Sequence, residues 1–427
     1  MKKIVLLVYS FILLFSFISF SQIELPIYFK GAIREKRNIQ YRNIVQNTII
    51  KNLSLAINAE TEENWLDAFW GMELLKYKSP WADSRINYAF DSIEKRSPGF
   101  QRALLELAYT NYPDRFSKQA GSLLKNCTDA KVFAMSVEYL LLNNSNAIAG
   151  INFENKRQQL EKSEKDKAIM RQLLYRLKKL PYQGTGNLVA EIIDKNFLQN
   201  HTILYSFQRK NRNYPGLTLI RDSTGNFIKD VNGNIFSVPQ LARSISNLPG
   251  YLTNGNTPQG IFRMHGFDSS HNSYIGPTHN IQLTMPFETS LQHFFNDSTI
   301  TDTAWTEDWY KKLLTYTLTN YSPLYESFYA GKAGRTEIIA HGTTVDPEFY
   351  AHETYFPQTP TMGCLCTIEI WSDVDGKRLI SDQQRLVTAL QMAGGANGYC
   401  VVVEIDDAQK PVTLPEILSI LKLVSKK

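Results

Sequence analysis

Two side chains have the types that nucleophilic acyl transfer requires: His341, in Ile338-Ile339-Ala340-His341-Gly342-Thr343, and Cys364, in Thr361-Met362-Gly363-Cys364-Leu365-Cys366. A thiol attacks as its thiolate, and an imidazole within hydrogen-bond reach can take the proton. With an ordinary pKa of about 8.5, cysteine is only slightly ionised near neutrality, so a paired base and positive surroundings are needed. Gly363 lets the chain turn tightly before the nucleophile. The backbone N–H groups of Cys364, Gly363 and Met362 can then face an oxyanion forming over the sulfur. Taken singly, each residue has a plainer explanation, His341 as a packed imidazole and Cys364 as a buried thiol.

The same residues resemble the L,D-transpeptidase (YkuD-like) catalytic domain. Its signature is an Ile-His-Gly-like step, a gap, then Ser/Thr-His-Gly-Cys, a hydrophobic residue and Arg or Asn. His341-Gly342 matches the first half, and Thr361, Gly363, Cys364 and Leu365 match four positions of the second. Upstream, Thr257-Pro258-Gln259-Gly260-Ile261-Phe262 resembles the Thr-Pro-x-Gly-x-Phe turn and strand that precede the catalytic half. The resemblance spans roughly Gly216 to Asp406. It departs from the family at Met362, where a histidine is usual, and at Cys366, where Arg or Asn is usual; Arg263 and Arg335 are the candidates to replace that missing residue. The gap between base and nucleophile is also longer, filled by Phe349 to Pro357.

The resemblance implies that Cys364 forms a thioester with a peptidoglycan stem peptide, cut after its meso-diaminopimelate-type third residue, while His341 handles both protons. An amine acceptor makes the protein a transpeptidase; water makes it an L,D-carboxypeptidase. The altered positions also fit a retired enzyme that binds cell-wall peptide without turning it over. Catalytic roles are therefore expected for Cys364, His341, Gly342 and Gly363, and donor contacts for Thr361, Met362, His352 and Tyr355. The last two lie in the aromatic loop from Val345 to Pro360, where aromatic side chains provide contact area at low entropic cost. No cofactor and no metal are expected. His265, His271 and His279 lack paired carboxylates at ligand spacing and are expected to be structural or surface residues. A zinc site on Cys364 and Cys366 lacks a second ligand pair.

Four cysteines in 427 residues do not make a disulfide scaffold, and Cys127, Cys366 and Cys400 are expected to be buried thiols. The net charge of +5 is small and evenly spread, a poor nucleic-acid signature. Lys2 and Lys3, an apolar run from Ile4 to Phe17 and small residues at Ser19 and Ser21 read as a signal peptide over residues 1–21. Export to the periplasm or cell envelope is expected, with no membrane span after cleavage.

The elements that must position the site change character near residue 200. From 22 to 200 the chain reads as an all-α domain of antiparallel helical hairpins, suited to a protein partner. Glu62 to Tyr77, Phe100 to Tyr109, Arg115 to Leu124 and Ala130 to Leu142 carry apolar residues at helical spacing, and Pro80, Pro98 and Pro113 fall at the breaks. From 201 to 427 it reads as a β-rich sandwich or partly closed barrel carrying the site, so the fold class is α+β. Strands are expected at Gly216 to Ile220, Ile235 to Val238, Gly260 to Met264, Asn280 to Met285, Thr336 to His341, Cys364 to Trp371 and Tyr399 to Ile405, with helices at Trp305 to Asn320 and Ser381 to Met392.

Overall fold

A computed structural model describes residues 27–144, 146–178 and 186–424. The expected signal peptide lies outside these residues. No described helix is long and apolar enough to cross a membrane.

Helices fill the first part. Glu62–Leu75, Pro80–Asp91, Pro98–Asn111, Ser117–Asn126 and Ala130–Leu141 succeed one another, with Pro98–Asn111 packed between Glu62–Leu75 and Ala130–Leu141 and Ser117–Asn126 packed on Ala130–Leu141, followed by Phe153–Leu160, Glu164–Leu177 and Gly186–Ile193. Their starts are written locally. Ser79 and Ser97 accept the N–H groups of Ala82 and Phe100, each with proline at the first helical position, and Asp129 accepts those of Lys131 and Val132. Each cap satisfies a donor that the first turn leaves without an intrahelical partner.

The second part is an eight-stranded sheet. Its strands are β1 (Ile203–Arg209), β2 (Gly216–Arg221), β3 (Val238–Gln240), β4 (Gly260–Asp268), β5 (Asn280–Thr284), β6 (Ile339–His341), β7 (Leu365–Cys366) and β10 (Tyr399–Asp406), in the order β3-β2-β1-β10-β4-β5-β6-β7. β8 (Glu369–Trp371) and β9 (Arg378–Ser381) form a separate hairpin-like pair. Leu241, just past β3, exchanges two 2.8 Å backbone bonds with Cys366 on β7, so the two edges of the sheet meet and it nearly closes into a barrel. That closure brings the turn after β3 beside the segment that carries Cys364.

Central strands β1 and β10 are buried on both faces. Tyr205, Phe207, Val401 and Val403 join the core that continues into the helices, whereas Leu204, Cys400 and Val402 face a second core with Phe262, Ala340, Leu365 and the helix Asp382–Met392. The first core therefore crosses from the helical part into the sheet without interruption.

Several expected elements differ. The helix expected over Trp305 to Asn320 is reduced to Glu307–Lys311 and a 3-10 turn at Leu318–Asn320. The strand expected from Cys364 to Trp371 is broken into β7 and β8, with Thr367 between them bonding its N–H to the His341 carbonyl and its hydroxyl to Gln383. β1, fully buried along its length, lacks the alternation that marks a half-buried strand.

Candidate active site

β6 and β7 run parallel, with Ala340 opposite Leu365 and His341 opposite Cys366. Ala340 and Leu365 point into the second core. Alternation along β6 and β7 puts His341 and Cys366 on the opposite face, and Cys364 lies just before β7. The fold thus brings Cys364 against β6, the strand that carries His341. The Cys364 sulfur accepts the Ile339 N–H at 3.5 Å and donates to the Glu337 carbonyl at 3.6 Å. Among the described residues it shares no hydrogen bond with the imidazole.

His341 is buried, 4% exposed, and its Nδ1 is hydrogen-bonded to the Gly342 carbonyl. A carbonyl only accepts, so Nδ1 carries the hydrogen and Nε2 keeps its lone pair. Burial pulls the imidazole pKa down to about 4, with the Gly342 bond opposing. The ring is therefore neutral near pH 7. Cys364 is shifted the other way: burial raises its pKa, against the Ile339 N–H and the charge of Arg335, while Glu337 and Glu288 add to the rise. A neutral thiol and a neutral imidazole are the resting state, which suits general-base activation rather than a preformed ion pair.

Gly342 has no room for a side chain, because a β-carbon there would collide with the Glu369 carboxyl. Glu369, 3% exposed on β8, accepts Thr278 and Ser381 hydroxyls at 2.5 and 2.6 Å on Oε1, while Oε2 has no partner among the described residues. Burial pushes its pKa up to about 7. This carboxyl braces the backbone that holds His341, and nothing in the sequence around Glu369 marked it out.

The turn before the cysteine is built by hydroxyls. Thr361 Oγ1 accepts the Gly363 N–H and donates to the Cys364 carbonyl, both at 3.0 Å, and Thr257 Oγ1 donates to the Gly363 carbonyl at 2.9 Å. The Thr257-Pro258 turn therefore packs against the turn before Cys364. Gly363 has φ +116°, and a β-carbon there would strike Arg335 Nη2 and the Gly255 carbonyl, so conformation and space both require glycine. Of the three expected oxyanion donors, the Gly363 N–H is already committed to Thr361. Those of Met362 and Cys364 have no acceptor among the described residues.

The expected donor contacts are only partly gathered. Thr361 lies in the turn, and Met362 is half exposed beside Cys364. Tyr355 is not at the surface. It is 0% exposed, packs with Tyr350 and Leu241, and lies under the Arg243 guanidinium at 4.9 Å. The Val345 to Pro360 loop is held against the helices instead, by Arg37 to Asp346 at 3.0 Å, Tyr350 OH to the Leu74 carbonyl at 3.0 Å, and a Lys76–Glu353 ion pair. His352 is exposed on that loop.

Of the two arginines proposed from sequence, Arg335 reaches the turn before Cys364. Arg263 lies across the sheet over the Tyr399 ring and bonds to Asn397. His265 stacks on His293 with ring centroids 4.4 Å apart, and His279 Nδ1 lies 3.0 Å from Ser269 Oγ. All four cysteines are free; Cys366 and Cys400 are buried, whereas Cys127 is only partly so. Among the described residues no group of three or more His, Cys, Asp or Glu could hold a metal ion. The chain matches no protein-family model, no curated protein and no solved structure.

Proposed function

We propose that the protein is a cysteine acyltransferase of the L,D-transpeptidase kind, acting on peptidoglycan stem peptides in the periplasm or cell envelope. One observation carries this reading: the Gly342 carbonyl fixes the His341 tautomer with Nε2 as the free base, on β6, whose Ile339 N–H bonds the Cys364 sulfur. In the reaction, Nε2 takes the thiol proton as sulfur attacks the donor carbonyl. The S–C bond forms, and the peptide C–N bond then breaks as imidazolium returns the proton to the leaving amine. The Met362 and Cys364 N–H groups support the transient oxyanion. An acceptor amine, deprotonated by the same Nε2, releases the acyl group and regenerates the thiol; water in its place gives carboxypeptidase activity.

A binding protein without turnover is the second reading, favoured by the sulfur's bond to the Glu337 carbonyl rather than to His341. Intact-mass measurement after adding a carbapenem separates the two. A stable adduct that maps to Cys364 and is lost in Cys364→Ser supports acyl transfer. No adduct, with stem-peptide binding retained, supports the binder.

A further inference from the structure

We infer that Arg335 is the cation that favours the Cys364 thiolate, and that the helical region holds it in place by clamping the loop from Gly250 to Asn256. The inference rests on the acyl-transfer reading only in taking Cys364 as the reactive thiol.

Arg335 is 6% exposed. Its Nη1 donates to the Asn256 carbonyl at 2.6 Å and to the Gly250 carbonyl, and its Nη2 to the Gly255 carbonyl at 2.5 Å. Three carbonyls orient the guanidinium, yet among the described residues no carboxylate is hydrogen-bonded to it. A cation so buried and without a bonded anion is costly, and burial brings its pKa down to about 10. Two acidic groups act on it across space when ionised, Cys364 and Glu106. Nη2 lies against Gly363, directly before the cysteine. Of the charged side chains around the sulfur, Arg335 favours the thiolate, while Glu337 and Glu288 oppose it. Ionising Cys364 gives the buried guanidinium a nearby counter-charge.

The loop that chelates Arg335 is pinned at three successive places by helices. The Tyr251 hydroxyl donates to Glu138 at 3.0 Å, Lys131 Nζ donates to Thr253 Oγ1 at 2.7 Å, and Asn254 Nδ2 donates to Glu106 at 3.3 Å. Glu138 and Lys131 lie on the helix Ala130–Leu141, and Glu106 on Pro98–Asn111. Lys165, from the helix Glu164–Leu177, reaches the chain at Gly334. Asn254 has φ +56° and lies directly before the two residues whose carbonyls take most of the guanidinium. Helical contacts therefore decide where those carbonyls point, and the carbonyls decide where Arg335 points. Arg335 and the pinning residues are positioning residues here, since none of them touches the reacting atoms.

The test is the pH profile of Cys364 alkylation by iodoacetamide in the full chain, mapped by peptide mass so that Cys127 is scored separately. Arg335→Met is expected to raise the apparent thiol pKa by about one unit, read as roughly tenfold slower alkylation near neutral pH. Tyr251→Phe combined with Asn254→Gly, which removes two pins while keeping the positive φ available, is expected to shift the profile the same way. Adding that pair to Arg335→Met should give no further shift. An unchanged profile in Arg335→Met overturns the electrostatic role. A lower melting temperature with an unchanged profile in the pin variants overturns the clamp. Should Arg335→Met fail to fold, the pin variants, which leave Arg335 in place, carry the test alone. Because alkylation needs no turnover, a failed carbapenem experiment would sink the acyl-transfer reading and leave this result standing.

Discussion

In the proposed reaction His341 is the base, kept neutral by burial and held in one tautomer by one carbonyl, and both have measurable consequences. His341→Ala should slow Cys364 acylation by on the order of a hundredfold or more, the scale for losing a positioned general base. The deficit should shrink at alkaline pH, where the thiol ionises unaided; a deficit constant from neutral to alkaline pH would remove His341 from that role. In the unaltered protein the acid limb of the acylation profile should lie near pH 4, the depressed value, rather than near 6.5. Glu369 offers an independent test through stability. Its pKa is raised in the fold from 4.5 to about 7, so the stability it contributes is fully present below about pH 4.5 and is lost as pH rises through 7. Glu369→Gln keeps an oxygen for the Thr278 and Ser381 hydroxyls and cannot ionise. The variant's stability relative to the parent should therefore increase between pH 5 and pH 8, by about 2–3 kcal/mol in denaturant titrations. A constant difference would mean that Glu369 is ionised in the fold throughout.

At the level of elements, the site is a meeting of short pieces. β6 and β7 together contribute five residues, and what holds them is the Thr257, Thr361 and Thr367 hydrogen bonds around them. The long loop before the nucleophile belongs to this framework more than to a mobile recognition surface, since its two best-placed rings, Tyr350 and Tyr355, are buried. Tyr355→Ala should cost about 3–5 kcal/mol, as large aromatic truncations in cores do. By contrast His352→Ala, at an exposed position, should leave stability unchanged, and only a change in the Michaelis constant for donor peptide would give His352 a place in recognition. If Tyr355→Ala left the denaturation midpoint where it was and altered only donor kinetics, the loop would be a recognition element as its composition first suggests.

For the whole molecule, the uninterrupted core between helices and sheet and the network joining Arg176, Glu138 and Tyr251 predict one cooperative unfolding transition. Far-UV and near-UV circular dichroism should report the same midpoint, and two separated transitions would show that the halves fold independently. Local signals settled much of this architecture in advance. The caps and prolines at Ser79-Pro80 and Ser97-Pro98 mark helix starts, and the His341 and Cys364 motifs carry the candidate chemistry, because capping, turning and nucleophile type are properties of a few adjacent residues. The strand β1 was not legible, since burial on both faces erases the alternation by which a strand is recognised. Nor were the partners of the site. That Leu241 closes the sheet onto Cys366, that Glu369 lies under Gly342, that Tyr355 turns inward, and that Arg335 takes its place from a loop pinned by helices are all contacts between residues far apart in the chain. Only packing the helices on the sheet decides them, because hydrogen-bond geometry and burial depend on which surfaces meet in space.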